Sequence, residues 1–462
     1  MHDRPLRAPR GGVHGLWVSL TSEGEGSEPS LVETLLAEGV DVTVACPAGR
    51  LCERLQDLGY RPHLLPAWQA ASARSAPAPR LWRLPRALNA LARALRPQIV
   101  VADGLEAAIL VGLARTGLPA LWYLQHASAK NLVATLARHL AQRAPTGLVA
   151  PSQCALAEIR ERLGGDVPAA VVHPGTRWPA VAPTLRATLG LSRTIPVVGF
   201  VGPLTPSKPA LDAVLTARLA RARHPELRLV IVGSSGFSAV GLEDHRALTR
   251  VVMGDGGRTV LLGARRDVPA LLPDMDAVLV PSPGEPFGAV APQAAGYGVP
   301  VLAAQGGALS EIVSSPRRGR LAPRGNVFAQ AVALCDVLAQ GRIPLEEVFR
   351  LRAEFSSVTT AARWADLLGR LAALTVSAEE RRTMASQARG RPRALGMPDP
   401  WWPGQVAGQL PATSAASDGF GRPDGPRAAG DASGERASGR MGCQTAGVWR
   451  PGPCRAGLNG IR

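Results

Sequence analysis

A glutamate, a glutamine and a pair of glycines form the densest group of chemically useful residues in the chain. Glu285 lies in a loop, and Gln293 follows it in a segment that predicts a helix ending at Gly298. A carboxylate before a helix and an amide inside it can face one ligand, while N–H groups at the helix start attract negative charge. Gly306 and Gly307 would allow another backbone to approach closely. The alternative is that Glu285 only caps its helix.

A lysine marks the start of a second predicted helix. Lys208 is one of two lysines among 52 basic residues. It follows Gly202, which ends an apolar strand, and precedes Pro209, a residue type that suits the first position of a helix. An ammonium group at a helix start can pair with a phosphate, whereas most surface lysines are only solvated. We expect Lys208 to bind a phosphate group.

A glycine-rich loop also follows the first predicted strand. Gly24 and Gly26 lie in this loop, just before a helix that Ser27 or Ser30 would cap. Glycines allow a tight turn, and the helix start offers N–H groups to an anion. Three glutamates in the same loop argue against a purely phosphate-binding role. A flexible, capped loop therefore remains the alternative.

Two further patterns bear on metal binding. Asp274 and Asp276 spell Asp-x-Asp, but they precede a predicted strand, at the position of a helix-to-strand turn. We therefore expect no metal site there. The six cysteines contain no Cys-x-x-Cys pair, so neither a zinc site nor a disulfide framework is indicated.

Short apolar strands alternate with amphipathic helices, which is typical of parallel sheets with crossover helices. This pattern occurs twice, and a proline-rich joint from Pro174 to Pro196 separates the two halves. Ligands of such sheets bind beyond the carboxyl ends of the strands, where the residues named above lie. The predicted strands are His14–Leu20, Val40–Ala45, His63–Pro66, Gln98–Ala102, Ala120–Leu124 and Gly147–Ala150, then Pro196–Gly202, Leu227–Gly233, Thr259–Gly263, Ala277–Val280 and Val299–Ala303.

Composition excludes several classes of function. Hydrophobic residues make up 46% of the 462 residues, so a sizeable core can form. The net charge is +16, but residues 381–462 hold 12 Arg against 5 acidic residues and thus carry +7 of it. Aromatic and basic residues do not alternate as nucleic-acid binding requires, so we expect no nucleic-acid partner. No apolar run approaches the ~18 to 20 residues of a transmembrane helix, and no signal-peptide core is present, so we expect a cytoplasmic protein.

The motifs together resemble the donor-site signature of retaining glycosyltransferases of family 4, which have the GT-B fold. The resemblance rests on Glu285-Pro286-Phe287-Gly288 with Gln293, on Gly298-Val299-Pro300, and on Gly306-Gly307 through Glu311 to Val313. Gly202 to Lys208 resembles the family's diphosphate loop, and Val172 to Gly175 its interdomain junction. The family resemblance implies an α/β architecture of two Rossmann-like, doubly wound parallel-sheet domains that face a cleft. Their expected bounds are 1–178 for the acceptor-side domain and 179–350 for the nucleotide-sugar domain, followed by a closing helix at 351–376 and a disordered tail at 377–462.

The resemblance also implies an activity. The enzyme would move a sugar from a nucleoside-diphosphate sugar to an unidentified acceptor hydroxyl on a glycan, a small molecule or a lipid-linked acceptor, with retention of configuration and without a metal or cofactor. By this resemblance Lys208 neutralises the diphosphate, Glu285 holds hydroxyls of the sugar, and His126 lies near the sugar. The residues expected to bind the donor are Gly24, Gly26, Gly202, Lys208, Glu285, Phe287, Gly288 and Gln293.

Three positions depart from the family pattern. Gln293 stands where a glutamate grips the ribose, and Pro203 stands where many relatives have an arginine. Both changes weaken donor binding, so a sugar-nucleotide-binding protein without turnover is the main alternative. An epimerase or phosphorylase on the same fold lacks its own signature here. Pro292 is tolerable only in the first turn of its helix.

A predicted helix carries a basic face opposite an apolar stripe. Arg86, Arg93 and Arg96 form the basic face, and Leu88 belongs to the stripe. A solvated basic face is the default interpretation. The alternative is weak peripheral contact with an anionic membrane at its inner face, which would suit a lipid-linked acceptor.

Overall fold

The computed structural model describes residues 13–20, 30–65, 83–125, 135–137, 139–140, 146–164, 167–205, 209–234, 239–282 and 284–387. Thirteen strands in this part of the chain form two parallel sheets. We refer to the layers around the first sheet as the N-terminal domain and to those around the second as the C-terminal domain.

Seven strands build the sheet of the N-terminal domain in the order β3-β2-β1-β4-β5-β6-β7. Every pairing is parallel, as the alternation of strands and helices predicts. The strands are β1 (Gly15–Ser19), β2 (Val42–Cys46), β3 (His63–Leu64), β4 (Ile99–Asp103), β5 (Ala120–Tyr123), β6 (Thr146–Ala150) and β7 (Ala169–Val171). The helices are α1 (Leu31–Ala37), α2 (Arg50–Asp57), α3 (Arg83–Leu95), α4 (Leu105–Ala114) and α5 (Gln153–Leu163).

Six strands build the sheet of the C-terminal domain in the order β10-β9-β8-β11-β12-β13, again all parallel. The strands are β8 (Val197–Val201), β9 (Arg228–Val232), β10 (Thr259–Gly263), β11 (Ala277–Val280), β12 (Val301–Ala304) and β13 (Gly319–Ala322). The helices are α6 (Leu185–Leu189), α7 (Ala210–Ala220), α8 (Ala239–Met253), α9 (Val268–Leu271), α10 (Val290–Gly296), α11 (Leu309–Ile312), α12 (Val327–Gln340) and α13 (Leu345–Phe355). The last described helix is α14 (Ser357–Gln387).

The last helix, α14, packs against the N-terminal domain although it follows the C-terminal domain in sequence. Its Trp364 is fully buried against Trp17 of β1 and Tyr123 of β5, with ring centroids 5.4 and 5.8 Å away. Burying a large aromatic ring stabilises such a contact by several kcal/mol. The chain therefore crosses between the domains twice.

The two crossings contact each other. Thr176, on the first crossing, donates its N–H to the Phe355 carbonyl at 2.8 Å. The Ser357 N–H donates in turn to the Thr176 carbonyl at 3.1 Å. A Cβ at Gly175 would lie 2.5 Å from the Ser357 Cα, so only glycine allows this close approach. The Thr360 hydroxyl also donates to the His173 carbonyl at 2.9 Å, so the crossings are joined along a short stretch.

Three expectations are resolved by the fold. The Asp-x-Asp motif lies in a helix-to-strand turn, as expected. There, the Arg186 backbone N–H donates to Asp274 at 3.0 Å, and the Arg186 guanidinium donates to Asp276 at 2.7 Å. Pro292 is the third residue of α10 and so lies in its first turn. By contrast, α14 continues beyond residue 376, where we expected the tail to begin.

The predicted basic helix is α3, and its apolar stripe covers the protein's own core. Leu84 and Leu88 are buried in the core of the N-terminal domain, while Arg86 and Arg93 are exposed. The leucines are thus unavailable to a partner, whereas the arginines are accessible. Among the described helices, none is both long enough and apolar enough to cross a bilayer.

Candidate functional site

The loop that follows β8 is pressed against the end of β9. The Gly202 N–H donates to the Val232 carbonyl at 2.9 Å, and the Leu204 N–H donates to Ser234 at 3.0 Å. A Cβ at Gly233 would lie only 1.8 Å from the Gly202 carbonyl oxygen, and Gly233 has a φ of +156°. Glycine is required there because any side chain would push the two loops apart.

Helix α7 begins close to the position that the sequence predicts. Pro209 is its N-cap rather than its first residue, and the helix starts at Ala210. Lys208 lies outside the described residues, as do His126, Gly24 and Gly26. Their roles therefore stay predictions from the sequence.

The motif loop from Glu285 to Gly288 follows β11 at the carboxyl edge of the second sheet. Its Glu285 carbonyl accepts a hydrogen bond from the Ala308 N–H at 3.1 Å. A Cβ at Gly307 would lie 2.9 Å from the same carbonyl oxygen, which confirms that a glycine permits close backbone approach here. The two loops thus form one unit, and the Glu285 side chain is only partly buried at its edge.

The ring of Phe287 is buried, so only its backbone is available to a ligand. Its side chain is buried between His173 and Phe355, at centroid distances of 5.7 and 5.9 Å. This aromatic cluster joins the motif loop to both chain crossings. Within the described part of the chain, the N–H groups of Phe287 and Gly288 find no hydrogen-bond acceptor, so they can donate to a ligand.

Gln293 presents an unsatisfied buried oxygen. The side chain is 9% exposed, and its Oε1 has no hydrogen-bond partner among the described residues. An unpartnered buried acceptor costs about 1–3 kcal/mol, so a ligand that donates a hydrogen bond would be stabilised there. Trp178 donates its indole N–H to the Pro292 and Gln293 carbonyls at 3.2 and 3.1 Å, which holds this part of α10.

The carboxyl edge of the first sheet carries an acid that sequence reasoning missed. Asp103 ends β4, and the Trp17 indole donates to its carboxylate at 3.3 Å. Burial raises the pKa of Asp103 to about 6, against the hydrogen bonds from Trp17 and Ser19 that lower it. Burial, and then the charge of Asp103, raise the pKa of Tyr123 above its usual value. The sequence signal that could have identified this acid is its position at the end of an apolar strand.

The described residues contain no group of three or more His, Cys, Asp or Glu side chains that would hold a metal ion. Because β8 and β11 are adjacent and parallel, Gly202 and the motif loop lie at the same carboxyl edge of the second sheet. Gln293 is the fourth residue of α10, the helix that follows this loop.

Two α/β domains with parallel sheets and a glycine-bearing motif loop at their interface define the GT-B class of folds. Solved structures agree with this assignment. Anabaena HepE in complex with UDP aligns with a TM-score of 0.59 at 21% identity, covering 81% of this chain and 100% of that chain. A glycosyltransferase from Rickettsia africae aligns with a TM-score of 0.67 at 14% identity, covering 78% and 99%.

Family profiles match both domains. The profile described as Glycosyltransferase Family 4 matches residues 30–177, and the one described as Glycosyl transferases group 1 matches residues 195–340. The chain belongs to glycosyltransferase family 4.

Curated relatives match part of this region. D-inositol 3-phosphate glycosyltransferase of Mycobacteroides abscessus is 34% identical over 239 residues, which are 49% of this chain and 52% of the relative. The enzyme of the same name from Mycobacterium bovis is 35% identical over 199 residues, 40% of each chain. The match thus spans about half the length of these relatives or less.

Proposed function

We propose that this protein is a retaining glycosyltransferase that moves a sugar from a nucleoside-diphosphate sugar to an acceptor hydroxyl, without a metal ion. The observation that carries the proposal is the buried Oε1 of Gln293, in the helix after the motif loop, which has no hydrogen-bond partner among the described residues. A ribose hydroxyl is a donor of the kind this oxygen lacks. The structural neighbour from Anabaena binds UDP, which supports a nucleotide as the ligand.

The chain's own groups account for the sugar and the diphosphate of the donor. The Glu285 carboxylate accepts hydrogen bonds from hydroxyls of the sugar, and the N–H groups of Phe287 and Gly288 donate to the diphosphate. Lys208, assigned from the sequence, adds a positive charge to the same group. Preorganised donors of this kind stabilise the leaving oxyanion as the bond to the sugar breaks. The acceptor oxygen then bonds to the anomeric carbon from the same face, and its proton passes to the departing phosphate oxygen, so the configuration is retained.

The hydrogen bonds that Asp276 of the Asp-x-Asp motif accepts within the protein support chemistry without a metal ion. Asp276 accepts hydrogen bonds from the Arg186 guanidinium and from the Val197 N–H at 2.7 and 2.8 Å. These contacts tie the carboxylate to the start of β8 and leave the positive charge at the donor diphosphate to Lys208. In this proposal His126 contributes near the sugar, and Gly24 and Gly26 form the loop that faces the donor from the N-terminal domain.

The acceptor is not specified by these residues. A lipid-linked acceptor would bring the protein to the inner face of a membrane, and the exposed arginines of α3 offer only charge for that contact, since the leucines are buried. Vesicle flotation at low and high salt tests this contact, and absence of binding at low salt excludes it.

A panel of nucleotide sugars tests the activity. Purified protein is incubated with each donor, and released nucleoside diphosphate and thermal stabilisation are measured. Release supports the transferase, whereas stabilisation without release supports the binding protein that Gln293 and Pro203 suggest. If no donor gives either response, both the transferase and the binding protein are contradicted.

Two substitutions test the site assignment. Lys208→Ala should lower turnover at least tenfold because the leaving diphosphate loses its cation. Gln293→Glu should tighten donor binding about fivefold, since a carboxylate adds about 1 kcal/mol per charge-assisted bond to the ribose hydroxyls. Arg250→Ala and Gln56→Glu change the same charges on exposed positions and serve as controls. Unchanged kinetics in both site variants would remove the assignment.

A further inference from the structure

The start of α5, in the N-terminal domain, contacts the C-terminal domain through its backbone. The Gln153 N–H donates to Glu311 Oε2 at 3.1 Å, and the Cys154 N–H donates to Glu311 Oε1 at 3.1 Å. Both oxygens of one carboxylate are therefore used. The first N–H groups of a helix have no partner inside it, and they carry the positive end of its dipole. The Glu311 carboxylate, from the other domain, accepts hydrogen bonds from two of these N–H groups and places a negative charge at the positive end of the dipole.

The residue just before α5 reaches the motif loop. Ser152 Oγ donates to the Pro286 carbonyl at 2.7 Å, and the same oxygen accepts the Ala155 N–H at 3.0 Å as the N-cap of the helix. Ser152 is completely buried. One hydroxyl thus fixes the start of α5 and the backbone between Glu285 and Phe287 at once.

The two contact points belong to one rigid unit of the C-terminal domain. Glu311 lies in α11, whose preceding residue, Ala308, donates its N–H to the Glu285 carbonyl. Gly288 packs against Leu309, where a Cβ would lie 2.7 Å from the leucine Cδ2. Holding Glu311 and Pro286 therefore holds the whole motif loop. We call Ser152, Gln153, Cys154, Pro286 and Glu311 the clasp.

We propose that Glu311 is a positioning residue and that the clasp holds the motif loop against the N-terminal domain. This inference deepens the proposed function and rests on it for its catalytic consequence. The donor would contact the motif loop, whereas the acceptor would enter from the N-terminal domain. Because reaction rates fall steeply when reacting atoms are misplaced by about 1 Å, a loosened clasp slows the chemical step more than it weakens donor binding.

Hydrogen exchange of the full chain tests the clasp without any substrate. In Glu311→Gln, one of the two acceptors is replaced by an amide N–H₂ group and the charge is lost, so exchange at the Gln153 and Cys154 amides should rise at least tenfold. The Ala308 amide reports the position of the motif loop, and its exchange should rise at least threefold. Glu311→Asp keeps the charge and should give a smaller change.

Ser152→Ala provides the independent test, because Ser152 lies in the other domain. It should also raise exchange at Ala308, which a local disturbance around Glu311 does not explain. Glu158→Gln is the control: it breaks an ion pair with Arg162 on the exposed side of the same helix and leaves the clasp intact. Melting temperatures confirm that each variant is folded.

Turnover measurements then test the catalytic consequence. With a donor from the panel, Glu311→Gln and Ser152→Ala should lower kcat about tenfold and change the donor KM by less than twofold. Unchanged exchange at Ala308 in either variant overturns the clasp, and unchanged kcat with altered exchange overturns its positioning role. If the unmodified protein turns over no donor, the proposed function fails, whereas the exchange results still decide whether the clasp exists.

Discussion

Replacing Asp103 by Asn should make the N-terminal domain more stable at neutral pH. Asp103 lies at the end of β4, beside Trp17 and above the aromatic cluster with Tyr123 and Trp364. Burial raises its pKa from 3.8 to about 6, so ionisation costs free energy in the folded state. An asparagine has nearly the same shape, does not ionise, and can still accept the Trp17 indole N–H.

The size and direction follow from the pKa shift. A shift of about two units corresponds to about 3 kcal/mol, which is an upper limit because the carboxyl is only partly buried. Below pH ~4 the carboxyl is protonated in both states, and the stability is fully present. As the pH rises through about 6, the unfolded state has already released its proton, so the wild-type protein loses stability relative to the variant.

Urea unfolding at a series of pH values measures this difference, and the fluorescence of Trp17 and its neighbours reports on the relevant domain. The free energy of unfolding of Asp103→Asn, minus that of the wild type, should increase by up to about 3 kcal/mol between pH 4 and 7 and then remain constant. Asp57→Asn, at an exposed helix position, is the control for loss of charge. A difference that is independent of pH would refute the reasoning.

Two other substitutions test the loop after β8 and the packing of α14. Gly233→Ala places a Cβ 1.8 Å from the Gly202 carbonyl oxygen, and it should weaken binding of a nucleoside diphosphate at least tenfold, as measured by calorimetric titration. Full affinity would show that the loop after β8 is not part of the donor site. Trp364→Ala should lower the free energy of unfolding by about 3–5 kcal/mol, as measured with urea, because it leaves a cavity next to Trp17 and Tyr123. A cost below about 1 kcal/mol would mean that α14 does not depend on this contact.

Much of the fold was predictable because most strands are apolar runs of four or five residues between helical segments. The predicted Thr259–Gly263 and Ala277–Val280 agree with β10 and β11 in both bounds, and other strands differ by one to three residues at their ends. The strands β7 and β13 were missed. They lie at sheet edges and have only three and four residues, which is too short for a period-two signal.

The site was predictable only in part, for a different reason. The rule that ligands bind at the carboxyl ends of strands locates Gly202 and Glu285 correctly at that edge. It says nothing about Phe287, whose ring packs between residues from two distant crossings. The contact of Glu311 with Cys154 joins residues 157 positions apart. Such pairs depend on how two complete domains pack, which no local period encodes.

The joined crossings at Thr176 and Ser356 limit how the two domains can move. Two connections without contact to each other would allow the domains to slide past each other as well as to rotate. Because these connections are bonded to each other over a short stretch, we expect them to oppose sliding of the domains more than rotation about that stretch. Rotation about that stretch would displace most the parts of the two domains that lie farthest from it.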